Sequence, residues 1–282
     1  MKIQEITQNI IEKLLPKRKP ESHKGDYGRI LLLCGSRGYT GAAALAAQGA
    51  LRTGAGLVYL GVPESIYVIE AIKLTEPVVF PLPDFDGMLD VTAIEKIISM
   101  LDRMDAVLIG PGLGQSQGVL HIVKTVLEKF NGPVVIDADG INVLSQHIDM
   151  LRDRTGTTIL TPHMGEFSRI GGDMNTDPQK AAMYFAQENK CILLLKGHRT
   201  VITDGESCYV NTTGNPGMAV GGSGDVLAGM IVGLLGQGIK PLQATACAAW
   251  LHGKAGDICA DEIGQYGMLP TDMLNVLPRL LK

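Results

Sequence analysis

Apolar and polar positions along this chain follow two rhythms. Short, nearly unbroken runs of Leu, Ile and Val occur in "RILLLCG" (29–35), "LVYLGV" (57–62), "AVLIGPG" (106–112), "PVVIDAD" (133–139), "TTILTPH" (157–163) and "CILLLKG" (191–197). Runs of this kind predict strands covered on both faces, as in a parallel sheet. Between them, "GAAALAAQGALRTG" (41–54), "VTAIEKIISMLDR" (91–103), "QGVLHIVKTVLEKF" (117–130) and "DPQKAAMYFAQEN" (177–189) carry helical spacing. The alternation predicts an α/β fold, a mostly parallel central sheet with helices on both faces. Residues 201–214 predict a hairpin turning at Asp204-Gly205. Helices are predicted at 226–237 and 242–260, separated by Pro241, and at 271–281. At the N-terminus Ile3, Ile6, Ile10 and Leu14 stand at helical spacing, so residues 1–20 predict a helical extension. No repeat or linker interrupts 1–282, and one domain is the simplest expectation.

In an open α/β sheet, ligands bind at the carboxyl ends of the strands. The polar strand endings here are Asp137, Asp139, His163 and Lys196, which the fold would gather along one edge. Composition narrows the ligand. The 282 residues carry a net charge of −4, so no global basic field favours nucleic acid. Aromatic residues make up 5%, too few for base-stacking platforms. The 35 glycines and many alanines point to close backbone packing. Five cysteines, an odd number without a CxxC pair, read as reduced thiols in a cytoplasmic protein. The N-terminus has no continuous apolar stretch, which excludes a signal peptide. No window of about 18 residues is apolar enough for a membrane span.

The segment "GNPGMAVGGSGDVLAG" (214–229) brings glycines up to a predicted helix start, with Asp225 among them. A Gly-rich helix start offers backbone N–H groups to an anion. Phosphoryl transfer needs positive potential over the moving group and a base for the attacking hydroxyl. The amides of Gly222, Ser223 and Gly224 could supply the first as an anion hole, and Asp225, at the first or second helical position, the second. Equally, Asp225 could cap the helix while the glycines serve packing. No GxxxxGK[ST] occurs, and "GPGLGQ" (110–115) and "GAGLVY" (54–59) each lack the last glycine of GxGxxG, so neither common nucleotide motif applies. "GPGLG" after its strand allows close ligand approach or simply a tight turn. Asp137, Asp139 and Asn142 in "VVIDADGIN", with Glu166 in "TPHMGEF", could hold Mg²⁺ through water, or Asp139 could be a helix cap. Thr161 and His163 are polar groups just past a strand. Lys196 and Arg199 in "KGHRT" suit nucleotide phosphates, or are solvated loop residues. No His or Cys set has zinc spacing.

Taken in order, "SHKGDYGRILLLCGSRGYTGAAALAAQGALRTGAG", "GPGLG", "VVIDADGIN", "LTPHMGEF", "LLKGHRTVI" and "TGNPGMAVGGSGDVLAG" resemble the ADP/ATP-dependent (S)-NAD(P)H-hydrate dehydratases of the ribokinase-like superfamily. The resemblance runs from about residue 22 to about 275. It departs at Met164, usually proline, and at Val220, often Thr or Lys.

The resemblance implies a ribokinase-like fold and a repair reaction. Water added across a double bond of NADH or NADPH gives a hydrate; phosphorylating the new hydroxyl lets phosphate leave and restores the ring. It further implies that Ala43, Gly112, Gly114 and His163 contact the hydrate. Lys196, Gly197, His198, Arg199, Thr200 and Gly224 would contact the donor, ADP in bacterial relatives and ATP in eukaryotic ones, with Mg²⁺. Asp225 would hold and deprotonate the hydroxyl. A homo-oligomer is expected, as is a functional link to a separate epimerase, because a first strand near residue 29 leaves no room for the epimerase domain many relatives carry. The alternatives are a ribokinase-like kinase for a small hydroxymethyl vitamin precursor and a non-catalytic nucleotide sensor.

Overall fold

A ten-stranded sheet runs through the computed structural model, which describes residues 2–15 and 17–281. The chain begins with β1 (Lys2–Glu5) and α1 (Gln8–Leu14). The first half continues with β2 (Arg29–Leu33), α2 (Thr40–Arg52), β3 (Leu57–Pro63), α3 (Glu64–Lys73), β4 (Val78–Leu82) and the small ladder of β5 (Asp84–Phe85) and β6 (Met88–Leu89). Next come α4 (Ile94–Leu101), β7 (Ala106–Ile109), α5 (Gln117–Lys129), β8 (Val134–Ile136), α6 (Asp139–Leu144), β9 (Thr158–Leu160), α7 (Met164–Arg169) and α8 (Pro178–Asn189). The last part holds β10 (Ile192–Leu195), β11 (Val201–Thr203), β12 (Ser207–Val210), α9 (Ser223–Gly236), α10 (Pro241–Glu262) and α11 (Pro270–Leu280).

The strand order is β1-β12-β11-β10-β9-β8-β7-β2-β3-β4, and only β11 runs against its neighbours. Strand β2 shows why the runs are continuously apolar. Ile30, Leu32 and Cys34 enter the core under α2, α9 and α10, while Leu31 and Leu33 enter the core under α4, α5 and α8. Successive side chains point to opposite faces, so a doubly covered strand needs an apolar residue at every position.

The N-terminus departs from expectation. Residues 2–5 form a strand parallel to β12, and the helix starts only at Gln8. Ile6 and Ile11 are buried, whereas Ile3 is exposed, so the helical spacing of Ile3, Ile6, Ile10 and Leu14 is not the buried stripe. The first strand therefore precedes residue 29. Helix α9 begins at Ser223, behind a left-handed Gly222, which makes Asp225 its third residue rather than its first or second.

Glycine brings α2 and α9 together. A Cβ on Gly229 would lie 2.1 Å from the Ala46 carbonyl oxygen, and one on Gly49 2.5 Å from that of Val226. With alanines filling the rest of α2, the two helices pack backbone to backbone. This contact fixes the first half of α9 against the second half of α2.

Candidate active site

Asp137, Thr161 and Lys196 follow β8, β9 and β10 directly, and their side chains meet. Thr161 Oγ1 donates to Asp137 Oδ1 at 2.7 Å, and Lys196 Nζ to the same oxygen at 2.8 Å. Glu166 Oε2 lies 3.9 Å from Lys196 Nζ. Between Asp137 and Asp139, Ala138 adopts φ +50°, a left-handed value costly for a residue with a Cβ. Burial pulls the Lys196 pKa down, but Asp137 and Glu166 outweigh it and hold the ammonium above its ordinary value. This cation stays charged.

The start of α9 closes on that cluster. The position a Cβ on Gly224 would take lies 3.5 Å from Lys196 Nζ and 3.9 Å from Asp137 Oδ2, which puts the helix end in contact with the charges. No side chain caps this end, which leaves first-turn amides for a ligand. Of the expected anion hole, the Ser223 N–H is already donated to the Val220 carbonyl at 3.3 Å, so Gly222 and Gly224 are the better donors. Asp225 is half-buried. Burial, then Asp137 and, more weakly, Asp139 push its pKa from 3.8 to about 6, against the opposing pull of Lys196. A carboxylate poised there suits a general base near neutral pH.

Beside the cluster opens a cavity of about 850 Å³. Lys196, Gly197, His198, Arg199, Thr200 and Gly224 all line it, as does His163. A nucleotide fits a space of this size. Arg199 adopts φ +62° and its guanidinium pairs with Glu5 of β1 at 2.7 Å. Thr200 Oγ1 folds back onto Gly197. His163 starts α7: its Nδ1 accepts from Gly165 N and Glu166 N, while Glu166 Oε2 accepts from His163 N at 2.9 Å. Those bonds occupy Nδ1, and Nε2 lies 3.5 Å from Glu166 Oε1.

The loops after β2 and β7 form a second wall beside the acids, outside the lining of the cavity. Gly114 N donates to Asp139 Oδ2 at 2.9 Å, joining this wall to the acids. Gly112 has φ +63°, and a Cβ there would meet Ala42 and Tyr39 at 2.8 and 2.9 Å. A substitution at 112 therefore collides with protein first, so blocked entry of a ligand could not be read from it. Ala43 is fully buried and presents no side chain to the cleft.

Sequence reasoning missed the far side of the cavity: Asn211, Thr213, Asn215, Met218 and His252. Asn211 Nδ2 donates to the Ala249 carbonyl, and a Cβ on Gly253 would lie 2.2 Å from Thr213 Oγ1. His252 faces Ser223 Oγ at 3.4 Å. Burial lowers its pKa to about 4, keeping the ring neutral. A lone histidine next to a glycine inside an apolar helix was the available signal.

Among the described residues, no group of three His, Cys, Asp or Glu side chains can hold a metal ion. The three acids considered for magnesium are engaged: Asp137 with Thr161 and Lys196, Asp139 with Gly114 and Gln115, Glu166 with His163. The site fits an ion carried on nucleotide phosphates with its own waters, not one caged by protein. A smaller cavity of about 460 Å³ lies at the opposite, amino-terminal ends of β9 and β10, bordered by Arg154, Lys190, Lys240 and Asp204, away from Asp137, Asp139 and Asp225. Among the described residues no helix is long and apolar enough to cross a membrane.

Residues 30–279 match the family Carb_kinase, described as NAD(P)H-hydrate dehydratase. The bifunctional NAD(P)H-hydrate repair enzyme Nnr of Moorella thermoacetica is 44% identical over 275 residues, covering 95% of this chain and 52% of that protein. The chain thus spans about half the length of the curated relatives it matches first. The ADP-dependent (S)-NAD(P)H-hydrate dehydratase of Listeria monocytogenes is 34% identical, covering 99% of this chain and 97% of its own. The ADP/ATP-dependent NAD(P)H-hydrate dehydratase of Bacillus subtilis, co-crystallized with ATP/Mg²⁺, superposes with a TM-score of 0.85 at 33% identity, covering 99% of this chain and 98% of that one. The α/β arrangement is that of ribokinase-like proteins. With the glycine-flanked Asp225, the Lys196 cluster and the cavity in one cleft, and a family match over nearly the whole length, the chain belongs to the NAD(P)H-hydrate dehydratase family.

Proposed function

We propose that this chain is an ADP-dependent (S)-NAD(P)H-hydrate dehydratase, a hydro-lyase that phosphorylates the hydroxyl of hydrated NADH or NADPH and releases NAD(P)H, AMP and phosphate. The observation that carries this reading is the half-buried Asp225 beside the uncapped, Gly-rich start of α9, close to the Lys196–Asp137 pair at the edge of the nucleotide-sized cavity. The donor binds in the cavity along 196–200, and its terminal phosphate lies at the α9 amides and Lys196. The hydrate binds against the Gly112–Gly114 wall, with its hydroxyl at Asp225. Backbone amides and the ammonium then meet the developing charge while Asp225 takes the proton. Magnesium, borne by the donor, adds charge neutralisation. His163 Nε2–H donates to a phosphate or to the hydrate.

Supply of the usable epimer falls to an epimerase, and the cytoplasm is the place of action. The chain forms a homo-oligomer through α3, where Val68, Ile69 and Ile72 are exposed beside the edge strand β4. Light scattering that returns only monomer mass would remove that part of the reading. The test of function is restoration of reduced-nicotinamide absorbance from the (S)-hydrate with ADP and, separately, ATP. Donor-dependent recovery with matching AMP or ADP supports it. A stable phosphorylated product would instead indicate a small-molecule kinase, and nucleotide binding without turnover a sensor.

A further inference from the structure

Removing water from the hydrate takes two protons from two different atoms. Hydration across a ring double bond leaves a hydroxyl on the carbon attached to the ring nitrogen and a new hydrogen on the next carbon. Phosphorylation needs a base for the hydroxyl proton. Restoring the double bond needs a second acceptor, for the proton on the neighbouring carbon. The hydroxyl oxygen and the neighbouring carbon that carry these hydrogens are bonded to one ring carbon, within the reach of a single carboxylate.

The cleft is short of bases. Asp137 is held by Thr161 and Lys196. Asp139 accepts from Gly114 N and Gln115. Glu166 is bound to the His163 amide, and Nδ1 of His163 is filled by two backbone N–H groups. His252 is buried behind Ser223 on the nucleotide side. His198 lines the nucleotide cavity; of the acids at the cluster, Asp225 alone has neither a side-chain nor a backbone donor on its carboxylate.

Resting on the function proposed above, we propose that Asp225 acts twice in each turnover, taking first the hydroxyl proton and later the proton of the neighbouring ring carbon. In the first step the hydroxyl oxygen bonds to the transferring phosphorus, the bond from that phosphorus to AMP breaks, and the hydroxyl proton passes to Asp225. Asp225 then gives that proton to solvent, which a carboxyl with a pKa near 6 does readily at neutral pH. In the second step the carbon–oxygen bond breaks, inorganic phosphate leaves with the bonding pair, and the nitrogen lone pair forms a C=N⁺ bond. The neighbouring carbon gives its proton to Asp225, and its C–H pair becomes the C=C bond as the nitrogen regains its lone pair. No redox partner is required.

The experiment is rapid-quench single turnover of the full chain with ADP. The substrate is the (S)-hydrate of NADH, unlabelled or carrying deuterium on the carbon next to the hydroxyl carbon. AMP, phosphorylated hydrate and NADH are followed in the parent and in Asp225→Asn, across pH 5 to 8. Twofold use of Asp225 predicts that deuterium slows conversion of phosphorylated hydrate to NADH without slowing AMP formation. It also predicts that both steps of the parent fall off below about pH 6, and that phosphorylated hydrate outlasts its parent lifetime in Asp225→Asn. If the variant forms no AMP at all, the parent's deuterium effect and pH dependence still decide. Equal lifetimes of phosphorylated hydrate in the parent and Asp225→Asn, or an elimination rate in the parent that does not change across pH 5 to 8, overturns the second role. Absence of NADH from the parent would instead defeat the proposed function.

Discussion

Burial and the Asp137 carboxylate together hold Asp225 near a pKa of about 6, and this has a cost in stability. A carboxyl whose pKa rises on folding binds its proton more tightly in the folded state. Its destabilising contribution is absent below about 3.8, grows between about 3.8 and 6, and is fully present above. Asp225→Asn is therefore expected to lose at least about 10²-fold in turnover while melting no lower than the parent at pH 7.5. Its gain is on the order of 1–3 kcal/mol at most and disappears near pH 4. Turnover and thermal melting at both pH values check this; a fall in melting temperature at pH 7.5 would mean a structural carboxylate. Lys196 acts in the opposite sense on the same group. In Lys196→Ala the acid limb of the rate profile should move above pH 6 and donor affinity should weaken, read from pH–rate curves and calorimetry. An unmoved limb would separate Lys196 from Asp225. Asp137, Lys196 and Gly224 were legible in the sequence because they sit at strand or helix ends. Asn211 was not, because it follows a hairpin strand with no pattern to mark it, and His252 had only its place beside Gly253 inside an apolar helix, which says nothing of what it faces.

The pairing of α2 with α9 decides where the two walls of the cleft stand. Gly229→Ala places a methyl 2.1 Å from the Ala46 carbonyl, and neither backbone can move without its helix. This substitution should cost about 1–3 kcal/mol and lower melting temperature and turnover together, unlike Asp225→Asn. A folded, fully active Gly229→Ala protein would show that the helices have slack. The small residues in "GAAALAAQGALRTG" and "GGSGDVLAG" signal such packing, but the partner helix cannot be read from either. Elements at the sheet edge escaped the pattern for a different reason. In α3, Val68, Ile69 and Ile72 are exposed, so its apolar residues do not trace one buried face. Strand β4 contains Pro81, which argues against a central strand, and the structure puts it where proline is tolerated, on the open edge.

Across the whole molecule, the sheet has β4 at one edge and β1 at the other, with the cleft along the carboxyl ends between them. The six strands anticipated from unbroken Leu, Ile and Val runs all lie inside this sheet, where two covering layers impose that composition. Strand β1 lacks that signature because an edge strand of four residues carries polar side chains, and only its pairing with β12 defines it. The ion pair between Glu5 and Arg199 gives this modest strand a wider importance. The family match starts at residue 30, so a chain trimmed to that boundary would look intact by alignment. It would lack the cover over β12, the buried Ile6 and Ile11, and the partner of Arg199. An uncovered strand edge is a template for pairing with other chains. Such a trimmed protein should scatter light on concentration and bind donor more weakly than the full chain, its 196–200 loop having lost an anchor. The boundary of useful trimming is therefore the start of β1, and an affinity handle belongs at the other terminus.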